Sequence, residues 1–193
     1  MEAERGMGEI KRFKPDKLVI PILISQERMR APLLEELRSR FGPADYTSVD
    51  LPFTYTRYYD EEMGTPITRF FLSFLRLVNP GKLVQIKGET NRLESRFTEA
   101  GRRKVNLDPG LLNLSRFVLA SSKDGSHRIP LSDGVFAEVT LVYEKGGYRP
   151  LEWTYPDYRS REYLQILGDI RRLYKADTRS AGHEADSSQS RSL

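Results

Sequence analysis

The stretch Leu18-Val-Ile-Pro-Ile-Leu-Ile24 is the longest apolar run of the chain, and it decides the fold. A continuous run rich in β-branched residues is typical of a strand that is covered on both faces. Pro21 removes one backbone donor, a feature more common at a sheet edge or a bulge. We nevertheless predict a strand over residues 18–24, in a central position of a sheet.

The segment after this strand has a helical pattern. Apolar residues recur at three-to-four spacing over residues 29–41, and Gly42-Pro43 is a helix stop signal. Residues 44–50 then fit a second strand. The resulting β-α-β unit predicts that the two strands run parallel if they share a sheet.

Two more helices are predicted in the middle of the chain. The apolar positions of residues 67–78 follow a helical period. Asn79-Pro80 supplies an N-cap and a first-turn proline, so a second helix follows. One face of this helix aligns Lys87, Asn91 and Glu94, which form either the wall of a polar pocket or a solvated surface.

The second half of the chain changes character. Gly, Asp and Asn turns separate short strand-like segments, which is the pattern of an antiparallel meander. Tyr163 to Tyr174 has a helical period, and the Ser, Arg and Gly content from Asp177 onward predicts disorder. The meander strands are predicted at residues 104–107, 116–121, 127–131, 135–143 and 148–151.

Together these elements predict one α/β to α+β domain. Its mixed sheet combines an N-terminal β-α-β unit with a C-terminal antiparallel meander, and two central helices and a final helix accompany the sheet. We expect a flexible N-terminus over residues 1–16, the domain over 17–176 and a disordered tail over 177–193.

Composition excludes several kinds of site. The 193 residues include no cysteine, so disulfides, thiolate zinc sites and cysteine nucleophiles are excluded. Of the two histidines, His183 lies in the predicted tail, which leaves the domain without a multi-histidine metal site. The longest apolar run is well short of the roughly 20 residues that cross a bilayer. The charged residues 1–17 lack a secretory signal pattern, so we expect a cytoplasmic protein with no membrane partner.

Several phrases resemble the bacterial domain-of-unknown-function family numbered 4416. They are Thr56-Arg-Tyr-Tyr-Asp-Glu-Glu-Met-Gly64, Lys87-Gly-Glu-Thr-Asn91, Val105-Asn-Leu-Asp-Pro-Gly110, His127-Arg128, Ala137-Glu-Val-Thr-Leu141 and Trp153-Thr-Tyr-Pro-Asp-Tyr158. The resemblance covers about residues 17–174. It implies membership of an uncharacterised group and supplies no catalytic assignment. The chain also lacks a G-x-x-x-x-G-K-[ST] loop, which excludes a P-loop nucleotide site.

Two carboxylates are candidates for a catalytic role or for Mg²⁺ binding. Asp108 lies in the turn Asn106-Leu-Asp-Pro-Gly110, where it can face a ligand or an ion, or merely bond its own backbone. Glu138 lies among apolar neighbours of a predicted strand, where it is a metal ligand, a general base or the partner of a basic residue. These alternatives stay open at this point.

A basic cluster is the candidate anion site. Lys123, His127 and Arg128 lie in one turn and the strand after it, where arginine can contact phosphate or carboxylate with two parallel hydrogen bonds. His127 is also a candidate for proton transfer, together with Asp108 and Glu138. The other interpretation is a surface hairpin that faces water.

The remaining candidate ligand-binding residues are polar or aromatic positions in the family-like phrases. They are Lys87, Asn91, Asn106, Tyr155 and Asp157. Asp157 can instead cap the last helix, and the tyrosines of this loop can pack against it.

Two hypotheses of function follow. In the first, a cleft binds or converts a small phosphorylated or carboxylated molecule such as a nucleotide, and Asp108 and Glu138 either hold Mg²⁺, the one candidate cofactor, or exchange protons. In the second, a non-catalytic module binds RNA or a protein partner through basic and tyrosine-rich surfaces. The sequence does not decide whether the protein is an enzyme, or what its oligomeric state is.

Overall fold

The computed structural model describes residues 11–189. The helices are α1 (Arg30–Phe41), α2 (Asp60–Met63), α3 (Leu83–Arg96) and α4 (Arg161–Gln189). The strands are β1 (Asp16–Ile24), β2 (Ala44–Thr47), β3 (Leu51–Pro52), β4 (Thr68–Val78), β5 (Thr98–Glu99), β6 (Arg102–Arg103), β7 (Val105–Leu107), β8 (Gly110–Leu112), β9 (Arg116–Ser121), β10 (Ile129–Pro130), β11 (Phe136–Glu144) and β12 (Gly147–Pro150). This is a single α+β domain with a large antiparallel sheet, which confirms the predicted fold class.

The large sheet has the strand order β10-β11-β9-β8-β1-β4-β2. The predicted strand over residues 18–24 is β1, and it is central, as predicted. β1 and β2 point the same way, because both are antiparallel to β4. β4 lies between them, however, so the predicted mixed sheet contains no neighbouring parallel pair among the described strands.

One of the two predicted central helices is a strand. Residues 68–78 form β4, whose positions 69 to 74 are all buried between β1 and β2. A strand covered on both faces carries an unbroken apolar run, and periodicity alone does not separate such a run from a buried helix. Only the second predicted central helix exists, as α3.

The two faces of the sheet bury two apolar clusters. Leu18, Ile20 and Ile22 face α1 and α3, whereas Val19 and Phe71 face α4. The alternation follows from the period of two along a strand. Burial contributes about 1.5–3 kcal/mol for each large side chain, so these clusters hold the helices against the sheet.

The predicted domain boundaries lie near the two ends of the chain. Residues 1–10 and 190–193 lie outside the described residues, and α4 runs through residue 177 to Gln189. The boundaries at 17 and 176 stay predictions. No described helix combines the length and apolarity of a membrane span.

The sheet divides where β7 gives way to β8. Both strands pair with β1. β7 pairs with the C-terminal part of β1, and β8 pairs with the N-terminal part of β1. β9 pairs with β8, and the hydrogen bond from Ala120 N to Pro109 O is 3.0 Å long. Beyond it, the described strands show no ladder between β9 and β7, so a gap opens between them.

Gly110 lies at this division and permits the close approach of β8 and β9. A Cβ at this position would lie 2.7 Å from the Phe117 ring and 2.8 Å from the Val118 carbonyl oxygen. We therefore expect Gly110→Ala to lower the free energy of unfolding by about 1–3 kcal/mol in urea denaturation. Gly88→Ala is the control, because a Cβ there meets nothing within 4 Å inside α3 and should stabilise by about 0.5–1 kcal/mol. Equal stability of Gly110→Ala and the wild type would contradict the packing argument.

Candidate ligand-binding cavity

A cavity of about 510 Å³ occupies the gap between β7 and β9. Its walls come from the loop that follows β3, from β4, from α3, from β7, from β9 and β11, and from the loop before α4. The volume falls in the range of about 300–1,000 Å³ that is usual for small-molecule sites.

Two side chains of α3 replace the missing strand partner of β7. Glu94 Oε1 accepts a hydrogen bond of 2.7 Å from Leu107 N, and Lys87 Nζ donates one of 3.1 Å to Leu107 O. Buried backbone groups need such partners, so the polar stripe of α3 is structural at these two positions. Burial raises the pKa of the Glu94 carboxyl, and the Lys87 ammonium opposes that shift.

Arg69 is the central charge of one wall. It comes from β4, is 2% exposed, and donates from Nη1 to Asp108 Oδ2 at 3.1 Å and from Nη2 to Asp157 Oδ2 at 3.5 Å. Its Nε has no hydrogen-bond partner among the described residues. Burial raises the pKa of Asp157, and the guanidinium of Arg69 limits the rise.

Arg103 joins the cavity lining to β7 and α3. Its Nη1 donates to Glu94 Oε2 at 2.7 Å and to Asn106 Oδ1 at 2.9 Å. The amide nitrogen of Asn106 is buried without a partner among the described residues. Glu62, from α2, lies 2.7 Å from Arg103 Nε, so this arginine also links α2 to the cavity lining.

Arg128 and Glu138 line another part of the cavity, and both side chains are buried. Arg128 Nε donates to Glu138 Oε2 at 2.9 Å, Nη1 to Lys123 O at 2.8 Å, and Nη2 to Tyr155 Oη at 2.6 Å. His127 Nε2 lies 3.1 Å from the same Glu138 oxygen. Arg128 is therefore fixed from three sides beside the cavity.

Tyrosines form the aromatic part of the rim. Tyr58 is 61% exposed and Tyr155 is 46% exposed, so both rings are open to solvent at the cavity. Lys123 Nζ donates to Tyr58 Oη at 3.0 Å, and this bond lowers the pKa of the phenol. Tyr59 lies deeper, and burial raises the pKa of its phenol.

The comparison with known families gives a match over residues 14–174 to the family described as domain of unknown function (DUF4416). The chain belongs to this family. No curated protein and no solved structure matches it. The cavity lies wholly within the DUF4416 domain, because its lining runs from Phe53 to Tyr158. The predicted resemblance is thereby confirmed.

The structure brings nearly all of the predicted site residues of this DUF4416 domain together. Nine of them line the one cavity: Lys87, Asn91, Asn106, Asp108, Lys123, Arg128, Glu138, Tyr155 and Asp157. His127 lies outside the lining and stacks on Trp153, with 5.6 Å between the ring centroids. Their roles in binding or catalysis stay predictions.

The predicted Mg²⁺ site also stays a prediction. Within residues 11–189, no group of three His, Cys, Asp or Glu side chains is arranged to hold a metal ion. Glu138 already accepts bonds from Arg128 and, at 3.3 Å, from Thr140 Oγ1. Asp108 is more open, because it is 26% exposed in its side chain and its Oδ1 accepts no bond from a described residue.

Arg69 and Arg103 are the basic lining residues that the sequence did not identify. The sequence did not identify Arg69, because residues 67–78 were expected to form an amphipathic helix from their apolar positions alone. The available signal was a charged residue inside a run of aromatic and apolar positions, since charged residues are rarely fully buried unless paired.

Proposed function

We propose that the cavity binds a small phosphorylated or carboxylated molecule that carries a planar ring, such as a nucleotide. The observation that carries this proposal is the combination of exposed tyrosine rings with exposed Lys123 and the buried side chain of Arg128 in the lining of a single cavity. Such concave sites with a few convergent polar groups are the usual location of ligand binding.

The anionic group is assigned to Lys123 and Arg128. Arg128 keeps one free proton on each Nη nitrogen after its bonds to Lys123 O and Tyr155, and Lys123 is exposed at the rim. A guanidinium and an ammonium that contact one anion form charge-assisted hydrogen bonds, which are stronger than neutral ones.

The planar ring is assigned to the tyrosines. Stacking of a base on an aromatic side chain contributes about 1–3 kcal/mol for each base. Tyr58 and Tyr155 offer exposed rings, and each hydroxyl is already bonded to one of the two cations. The rings are thus held next to the proposed anion site.

Turnover, if the molecule is converted, is assigned to Asp108. Its free Oδ1 can accept a proton or a ligand hydroxyl. The other lining carboxylates, Glu94, Glu138 and Asp157, have both oxygens engaged.

A thermal-shift screen tests the proposal with nucleotides, sugar phosphates, carboxylates and single-stranded RNA, each with and without Mg²⁺. A ligand of the native state raises Tm. We expect a small anion with a ring to raise Tm, and Lys123→Ala to weaken its binding by about tenfold with stability changed by less than about 0.5 kcal/mol. A shift that depends on Mg²⁺ would support the cofactor prediction.

Lys82→Ala is the matched control, because Lys82 is exposed and lies outside the lining. It should leave the affinity unchanged. A response to RNA alone, with a steep salt dependence, would contradict the small-molecule proposal and favour the nucleic-acid module.

A further inference from the structure

The cavity is nearly balanced in charge. Five basic side chains line it against four carboxylates, and the set is Arg69, Lys87, Arg103, Lys123 and Arg128 with Glu94, Asp108, Glu138 and Asp157. Five minus four leaves one formal positive charge. A ligand with several negative charges would therefore meet a lining that is already neutralised.

Most of these cations are occupied by carboxylates of the protein. Arg69 pairs with Asp108 and Asp157, and Arg128 pairs with Glu138. Arg103 pairs with Glu94 and with Glu62, which lies outside the lining. Their charge is therefore largely compensated before any ligand arrives.

The two lysines differ. Lys87 is buried, donates to the Leu107 carbonyl, and its charge acts on Glu94. Lys123 is exposed and contacts Tyr58, and no described carboxylate forms an ion pair with it. The excess positive charge is thus located at the rim, next to Arg128.

We infer that the cavity accepts a ligand with a single phosphate group, such as a nucleoside monophosphate, and discriminates against diphosphates and triphosphates. This inference rests on the proposed function. One phosphate monoester carries a charge of about −1.5 to −2 at neutral pH. The uncompensated charge of Lys123 offsets part of it, and Arg128, whose charge Glu138 already balances, adds hydrogen bonds. Each further phosphate would bring negative charge towards the fixed carboxylates Asp108 and Asp157, and like charges placed together select against a ligand.

Isothermal titration with the 5′-mono-, di- and triphosphates of adenosine, guanosine, cytidine and uridine tests this inference. We expect a monophosphate to bind best, with about a tenfold loss of affinity for each added phosphate. The order should hold in EDTA, and the discrimination should shrink in Mg²⁺, because the ion neutralises part of the charge of a di- or triphosphate. A diphosphate or triphosphate that binds as tightly as its monophosphate in EDTA would overturn the inference.

Asp108→Asn tests the stated cause. Removing this lining charge should reduce the discrimination between mono- and diphosphate by several-fold, because the repulsion falls. An unchanged ratio would overturn the charge argument. Asp108 is partly exposed, so the variant should fold.

The two failures are distinguishable. If triphosphates bind best, the inference fails and the proposed small-anion site stands. If no nucleotide binds, the inference fails, and the sugar phosphates and carboxylates of the thermal-shift screen decide whether the proposed function fails with it.

Discussion

Replacement of Arg69 by methionine is expected to lower the free energy of unfolding by about 3–5 kcal/mol. The side chain is 2% exposed and is bonded to Asp108 and Asp157, of which Asp157 is itself buried. Methionine would leave these carboxylates without their cation, and an unpaired buried charge is far more costly than the loss of an exposed pair. Urea denaturation of the full chain measures the effect.

The exposed pair of Arg149 and Glu144 supplies the control for Arg69. Its nitrogen and oxygen lie 3.0 Å apart, yet both side chains are more than half exposed. Arg149→Met should therefore cost at most about 1 kcal/mol. Similar losses for the two variants would show that burial of Arg69 has no energetic consequence.

The loss of unfolding free energy in Arg69→Met should also depend on pH. Burial already raises the pKa of Asp157, and loss of the guanidinium that opposes this shift would raise it further. A carboxyl with a higher pKa in the folded state binds more protons there than in the unfolded state, so stability rises as pH falls through that folded pKa. The difference between variant and wild type should thus shrink from about pH 7.5 to about pH 5. A deficit that grows on acidification would contradict this assignment.

Local signals in the sequence predict local structure well in this chain. Asn79 accepts a bond of 2.8 Å from Gly81 N, as an N-cap should, just before α3. Lys145 and Gly146 both have positive φ, as a tight hairpin between β11 and β12 requires. In each case the residues that determine the conformation lie within a few positions of one another.

Pairing between distant segments is not predicted in this way. β4 is a strand because β1 and β2 supply hydrogen-bonding partners on both sides, and neither partner is near it in sequence. The same strand inserts between β1 and β2, so the predicted β-α-β unit exists without a parallel ladder. The periodicity of residues 67–78 contains no information about those partners.

The same distinction between local signals and distant pairing applies to the residues of the candidate site. Residues in short polar phrases, such as Asn106 and Asp108, were identified because turn chemistry and side-chain chemistry coincide there. The sequence did not show that Lys87 and Glu94 serve the backbone of Leu107, since that role depends on the missing pairing between β7 and β9. Lys87 and Glu94 therefore supply the hydrogen bonds that a neighbouring strand would give to Leu107, although their spacing resembles that of a ligand-binding stripe.

Replacement of Glu138 by alanine is expected to cost about 3–5 kcal/mol of folding free energy. Glu138 is buried on β11 and accepts bonds from Arg128 Nε at 2.9 Å and Thr140 Oγ1 at 3.3 Å. Its loss leaves a buried guanidinium without its carboxylate. Glu138→Gln should cost less, because the amide oxygen can still accept from Arg128 although the charge is gone.

The same variant separates a positioning role of Glu138 from a metal-binding one. Arg128 would lose one of its three fixed contacts, so we expect the affinity for a small phosphate ligand to fall by at least about tenfold in Glu138→Ala, in EDTA as well as in Mg²⁺. A loss of affinity confined to Mg²⁺ would instead identify Glu138 as a ligand of the ion. Glu144→Ala, on the same strand but in the exposed pair with Arg149, should change stability by at most about 1 kcal/mol and leave the affinity unchanged. The difference in ligand affinity between Glu138→Ala and Glu144→Ala therefore measures how much the buried carboxylate of β11 contributes to holding Arg128 in position.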